Sequence, residues 1–244
     1  MNKTNLITKM MTILLIAGFG LSSCDETEDI LASSEYVSII SVGDEGETNV
    51  DIDELKSVTG LGDGELTDEQ AEWLKFMREE EKLAGDVYRT LYGLYKIPIF
   101  NNISKAEDNH TAVVLAYLNA WEIDDPLIDE IGVFSNEDLQ KLYNELIEAG
   151  NADLNEALKV GALIEEVDIA DLVELNELDP GEDLILLSEA LQLGSRNHLR
   201  AFTRILSLRD IEYEPAVLSI EDYEAIVSSP WERGTGLCRL IDTE

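Results

Sequence analysis

Four long stretches of this chain repeat their apolar residues at steps of three and four, with no convincing strand pattern between them. That periodicity leaves few folds other than helices packed on helices. The first stretch opens on Thr67-Asp68-Glu69-Gln70, a capping-box signature, and continues through Leu74, Met77, Ala84, Tyr88 and Leu91 to stop before Pro98. The second spans about 100–121, with Ile103, Ala106, Val113, Val114, Tyr117 and Leu118 as its apolar members, and an acidic loop around Pro126 follows it. The third runs from about 153 to 178, with Leu158, Ala162, Ile169 and Leu172 on one side, and ends at Pro180. The fourth covers about 182–208, its stripe being Leu184, Leu187, Leu191, Gly194, Phe202 and Ile205. A shorter helix is predicted over 136–149, with Gly150 as its stop, and another over 218–227. The predicted class is all-α: a four-helix bundle with one short helix between the second and third long helices and one near the C-terminus.

The informative residues of such a fold are ionisable groups on the apolar stripes, because an unpaired buried charge costs several kcal/mol unless a partner or a metal compensates it. Each long helix carries one. Glu81 falls between Met77 and Ala84 on the first. Glu107 and His110, three apart, project from one face of the second. Glu165 is in step with Leu158, Ala162, Ile169 and Leu172 on the third, with Asp168 one turn on, and His198 is in step with Leu191, Gly194 and Phe202 on the fourth. Both histidines of the chain land at such positions. Glutamates with a Glu-x-x-His pair, spread over several helices, are the donor set of carboxylate metal sites for iron, manganese or zinc. Some assignments stay open at this level. Glu80 lies on an alternative stripe, Glu166 adjoins Glu165, and Ser104-x-x-Glu107 reads equally as a capping box that would expose Glu107.

Composition sets the remaining bounds. Across 244 residues, 52 acidic against 17 basic side chains give a net charge of −35, which repels phosphate backbones and argues against a nucleic-acid partner. Lys3 and Lys9 precede an apolar run over residues 10–21, too short to span a bilayer, and Leu21-Ser22-Ser23-Cys24 follows. This ending resembles the lipobox of bacterial lipoproteins. The resemblance implies cleavage of residues 1–23, lipidation of Cys24 and anchoring in the bacterial cell envelope, on the periplasmic face of the outer membrane or at the cell surface. Asp25-Glu26-Thr27-Glu28-Asp29 is similar to acidic surface-sorting signals. With Cys24 lipidated, Cys238 is the remaining thiol and no intramolecular disulfide can form. Residues 24–66, acidic and glycine-containing, read as a tether in which 36–42 would make a marginal strand with nothing to pair. The helical domain then spans 67–228 and a C-terminal tail 229–244.

Three segments together carry a wider resemblance: 77–84 (MREEEKLA), 161–172 (GALIEEVDIADL) and 194–202 (GSRNHLRAF). In that order they resemble an uncharacterised ferritin-like family catalogued as domain of unknown function twenty-two-oh-two, over about 67–228. Against the ferritin and rubrerythrin-like superfamily, Glu81-x-x-Ala84-x-x-x-Tyr88 is similar to the first-helix ligand motif and Glu107-x-x-His110 to the second. Glu165-x-x-Asp168-x-x-x-Leu172 resembles the third, which favours Glu165 over Glu166. The fourth helix departs, with Ser195-x-x-His198 where the superfamily has Glu-x-x-His. Asp168, a water or a single-metal site in place of a pair are the alternatives for the missing carboxylate. What the resemblance implies is metal held by Glu81, Glu107, His110, Glu165 and His198, as di-iron, iron-manganese or manganese.

Two function classes follow. One is an oxidoreductase acting on dioxygen or peroxide, with Tyr88 as a neighbour of the metal and an external electron donor, since no Cys-x-x-Cys module is present. The other is a non-catalytic metal-binding bundle or a scaffold for a protein partner. Either is compatible with a homodimer. A storage shell fits poorly with a lipidated, tethered chain.

Overall fold

The structure, a computed structural model, describes residues 36–38, 40–43, 47–58, 61–62, 64–233 and 238–240. It is mostly helical. Three short strands, β1 (Tyr36–Ser38), β2 (Ile40–Val42) and β3 (Thr48–Val50), lead into a short helix α1 (Ile52–Val58). Four long helices follow, α2 (Asp68–Tyr95), α3 (Pro98–Ala120), α5 (Leu154–Glu174) and α6 (Glu182–Leu208). The shorter α4 (Glu137–Gly150) lies between α3 and α5, and α7 (Ile220–Ser228) and β4 (Cys238–Leu240) close the described chain. No helix among the described residues is long and apolar enough to cross a membrane. The signal and lipidation readings at 1–24 lie outside the described residues.

The helix ends follow local chemistry. Thr67 and Gln70 form the reciprocal capping box that starts α2. Lys96 ends it in the left-handed conformation (φ 56°), its N–H returning to the Tyr92 carbonyl. Pro98 then occupies the first turn of α3, where a missing N–H costs nothing, so that helix starts two residues earlier than its apolar pattern suggested. Asn136 and Asp153 cap α4 and α5 through their side-chain oxygens.

In space α2 pairs with α3 and α5 with α6, and α2 also meets α5 while α3 meets α6, so the four long helices enclose one interior. Two apolar clusters fill it at opposite ends. One holds Leu83, Tyr88, Leu91, Phe100, Ile103, Leu158 and Phe202, and the other Leu74, Met77, Val114, Tyr117, Leu172, Leu187 and Leu191.

The N-terminal stretch departs from the expectation of a tether. The strand at 36–42 is two strands with partners: β2 pairs antiparallel with β3, and β1 pairs antiparallel with β4. Ile40, Val50 and Leu55 are buried, Leu55 completely, in the same cluster as Leu74 and Leu191. Apolar side chains spaced too far apart to form a helical stripe are gathered here by antiparallel pairing and about two turns of helix. The C-terminal tail is likewise tied down, since Glu232 takes ion pairs from Arg196 and Arg200 of α6.

Candidate metal centre

Between the two apolar clusters, each long helix delivers its polar stripe residue to the middle of the interior. Glu81 (1% exposed) comes from α2, Glu107 and His110 (2% and 0%) from α3, Glu165 (2%) from α5 and His198 (0%) from α6. Because Glu107 and His110 are three apart, one turn of α3 supplies both. His110 Nδ1 lies 2.9 Å from Glu107 and 3.3 Å from Glu81. His198 Nδ1 lies 3.0 Å from the other oxygen of Glu107 and 3.4 Å from Glu165. Two three-residue donor groups result, Glu81–Glu107–His110 and Glu107–Glu165–His198, in each of which the ligand atoms lie within 4.8 Å of one another. Glu107 belongs to both, one oxygen facing each histidine.

Glu81 Oε1, Glu107 Oε1, His110 Nδ1 and His198 Nδ1 lie at the site without an aligned hydrogen bond, as do the neighbouring Asp168 Oδ1 and both oxygens of Glu80. Buried polar atoms are normally satisfied, so unpartnered atoms in both donor groups mark a place for a ligand that accepts lone pairs, which is what a cation does.

Electrostatics agree. Burial pushes the Glu81 carboxyl up to about 7 even against the pull of His110. It raises Glu165 as well, and carries Asp168 well above the carboxylate range with help from the charges of Glu81 and Glu165. Burial would also raise Glu107, but its two imidazole neighbours outweigh that and hold it below the usual range. Burial works against the charged form of both histidines, and the carboxylates around them prevail: Glu81 and Glu107 raise His110, while Glu107 and Glu165 carry His198 to about 9. Without a cation the cluster therefore retains protons, which an incoming metal ion would displace.

The neighbours of this cluster separate structural from candidate ligand residues. Tyr88 donates its hydroxyl hydrogen bond to Glu165 Oε1, which fixes that carboxylate's rotamer. Asp168 stands in neither donor group. Ser195 donates to one of its oxygens while the other is orphaned, so a buried carboxyl from α5 sits beside the serine that replaces the expected α6 glutamate. Glu166 is not at the site. It accepts from Tyr213 and from the backbone N–H groups of Ala216, Val217 and Leu218, anchoring the segment ahead of α7, because one helical residue further on points about 100° away. The three consecutive glutamates of α2 are all buried and do three jobs. Glu79 holds the backbone of Ser135 and Asn136, Glu80 faces the carboxyls of Asp171 and Asp168, and Glu81 faces His110. Ser104 donates to the Asn101 carbonyl inside α3 instead of capping it, which leaves Glu107 free to point inward.

One contact has no precursor in the sequence pattern. Thr48 of β3, fully buried, places its hydroxyl 3.1 Å from His110 Nε2 and 3.4 Å from His198 Nε2, on the side of the rings away from the carboxylates. From the other direction, a surface cleft of about 250 Å³ between α2, α3 and the 127–131 loop, lined by Gly85, Arg89, Asp108, Thr111 and Ile131, reaches Glu81.

Comparison with known proteins adds kinship. The profile of an uncharacterised protein domain, DUF2202, matches residues 70–230. The uncharacterised protein MJ0754 of Methanocaldococcus jannaschii is 45% identical over 181 residues, which covers 74% of this chain and 98% of the relative. The crystal structure of hypothetical protein MJ0754 is similar at a TM-score of 0.70, with 45% identity, over 71% of this chain and 100% of that one.

Proposed function

The chain belongs to the DUF2202 family, and we propose that its domain is a ferritin-like four-helix bundle holding two metal ions, iron or manganese, on Glu81, Glu107, His110, Glu165 and His198. The observation that carries this reading is Glu107 shared between two fully buried donor groups, with orphaned lone pairs aimed into both. The two donor groups together hold three carboxylates and two imidazoles, Glu81, Glu107, Glu165, His110 and His198, a donor set large enough for two divalent cations. Carboxylate and imidazole donors of this mixture suit iron and manganese better than the soft, thiolate-bound metals.

A pair of such ions, when bound, supplies redox chemistry toward dioxygen or peroxide. The protein's own part is to arrange it. Glu107 spaces the two halves and His110 and His198 bring neutral donors. Tyr88 holds Glu165 in place and keeps a proton within reach of that carboxylate. The leucine-, valine- and phenylalanine-rich clusters at either end exclude bulk water, and the cleft that reaches Glu81 offers an approach for a small oxidant. Electrons would come from an external donor. Leu21-Ser22-Ser23-Cys24 supports a lipid-anchored protein of the bacterial envelope, on the periplasmic face of the outer membrane or at the cell surface.

A non-catalytic metal-binding module is the second reading, favoured by one observation: Ser195 and Asp168 are paired with each other where the wider superfamily has a fourth-helix glutamate. Elemental analysis of the protein purified without a histidine tag, beside a His110→Ala/His198→Ala variant, tests the site. Two iron or manganese ions per chain, absent from the variant, are expected, and turnover of peroxide by the loaded protein then separates the enzyme from the binding module. No metal after reconstitution refutes the site.

A further inference from the structure

The N-terminal hairpin reaches the centre of the helical domain, and three features hold it there. Strand alternation turns Thr48 and Val50 inward and Asn49 outward. The side chain of Asn109, between Glu107 and His110 on α3, closes a two-bond clamp on Val50: it accepts from the Val50 N–H at 2.6 Å and donates to the Val50 carbonyl at 3.0 Å. On α6, Gly194 leaves the space that the hairpin occupies. A Cβ there would come within 2.7 Å of the Thr48 hydroxyl and 2.5 Å of the His110 ring, so any side chain would drive the two apart.

This placement puts one hydroxyl oxygen against both imidazoles at once. We propose that Thr48 is a positioning residue of the metal centre, accepting the Nε2–H of His110 and of His198 so that both rings present Nδ1 to the metal ions. The inference rests on the metal-centre reading above and deepens it.

Its chemistry is simple. A neutral imidazole carries one proton, and a ring that binds metal through Nδ1 must carry that proton on Nε2. A threonine oxygen has two lone pairs and accepts two such N–H groups. Both Nε2 atoms lie toward Thr48 and both Nδ1 atoms toward the carboxylates. Hydrogen bonds to the far nitrogen of a ligand histidine fix its tautomer and ring angle and raise its basicity. Thr48 does this for two ligands from a segment that precedes the residues matched by the family profile, 70–230. Strand β3 thereby becomes part of the centre, and the α3 and α6 histidines are held by a common group.

The test is titration of cobalt(II) into the metal-free full chain, followed by its visible absorption, for the wild type, Thr48→Val and Thr48→Ser. Valine keeps the shape and removes the acceptor. The wild type is expected to take up two cobalt ions. Thr48→Val should bind them about 10- to 100-fold more weakly, with shifted bands, and Thr48→Ser should return both affinity and spectrum toward wild type. Thr48→Val also strands two buried N–H donors, so the metal-free variant should melt lower than wild type, and the serine variant should recover that loss together with the affinity. A valine variant with wild-type affinity and spectrum overturns the inference while leaving the metal centre standing, and so does a serine variant as weak as valine, which would reduce Thr48 to packing. A wild type that binds no cobalt, zinc, iron or manganese removes the centre and the inference together. Should Thr48→Val fail to fold, Asn109→Ala, which releases the strand without changing Thr48, is expected to give the same weakening and band shift, and wild-type binding by it overturns the proposal.

Discussion

Glu165 and Glu166 are adjacent, both buried and chemically identical, yet the structure gives them opposite consequences when removed. Glu166 accepts from the Tyr213 hydroxyl and from three successive backbone N–H groups, those of Ala216, Val217 and Leu218. Truncation in Glu166→Ala strands these donors. A fully buried orphan costs about 1–3 kcal/mol, and these donors are half-buried or, at Ala216, exposed and so partly rescued by water, which brings the total loss to about 2–4 kcal/mol. For a domain of this size that lowers the melting temperature by roughly 5–12 °C. Metal content should stay at the wild-type level, since Glu166 touches neither donor group. Glu165→Gln inverts the pattern. Burial raises the Glu165 carboxyl in the metal-free protein despite the pull of His198, and glutamine keeps the shape of its neutral form, so the metal-free melting temperature should change little while metal affinity falls. Calorimetry with and without chelator, beside elemental analysis, reads both effects. A stable, metal-poor Glu166→Ala, or a destabilised, metal-replete Glu165→Gln, would refute the assignment of the two side chains.

Gly194→Ala should weaken metal binding and destabilise the fold by about 1–3 kcal/mol, because its Cβ intrudes on His110 and Thr48; chemical denaturation and metal titration check this, and wild-type behaviour would mean the hairpin sits elsewhere. The metal-free protein should lose stability as pH rises. Glu81, at about 7, and His198, at about 9, both bind protons more tightly when folded, so their contribution is full below the unfolded values near 4.5 and 6.5 and is lost through about 7 and 9. Melting temperatures of chelator-treated protein at pH 6 and pH 9 measure the fall, and metal loading should remove or reverse it. Tyr88→Phe should keep the fold, since the ring stays packed between Phe100 and Phe202, but should broaden the metal's spectroscopic signature as Glu165 loses its donor.

The long helices and the inward positions of Glu81, Glu107, His110, Glu165 and His198 are legible in the chain because burial there follows a 3.6-residue period and ionisable residues interrupt it. What periodicity cannot separate are neighbours such as Glu165 and Glu166, or Glu80 and Glu81. A helix side buried against both other helices and the connecting loops has no polar face, and α2 buries every residue of 77–88. The work of Glu79 and Glu166 is hidden for a related reason, since their partners are backbone N–H groups of loops, which carry no residue signature. Thr48 was invisible as well. Its role depends on β2–β3 pairing and on a clamp from Asn109, 59 residues away along the chain from Val50. Gly194 held a hint of it, a residue without a side chain on the stripe one turn before His198.

The central claim is that Glu107 stands between two metal ions. Anomalous diffraction from crystals of the iron- or manganese-loaded protein, collected at that metal's absorption edge, addresses it most directly. Two peaks about 3.5–4 Å apart, one against Glu81 and His110 and the other against Glu165 and His198, are the predicted result. A single peak, or peaks confined to surface carboxylates with His110 and His198 unligated, would contradict it.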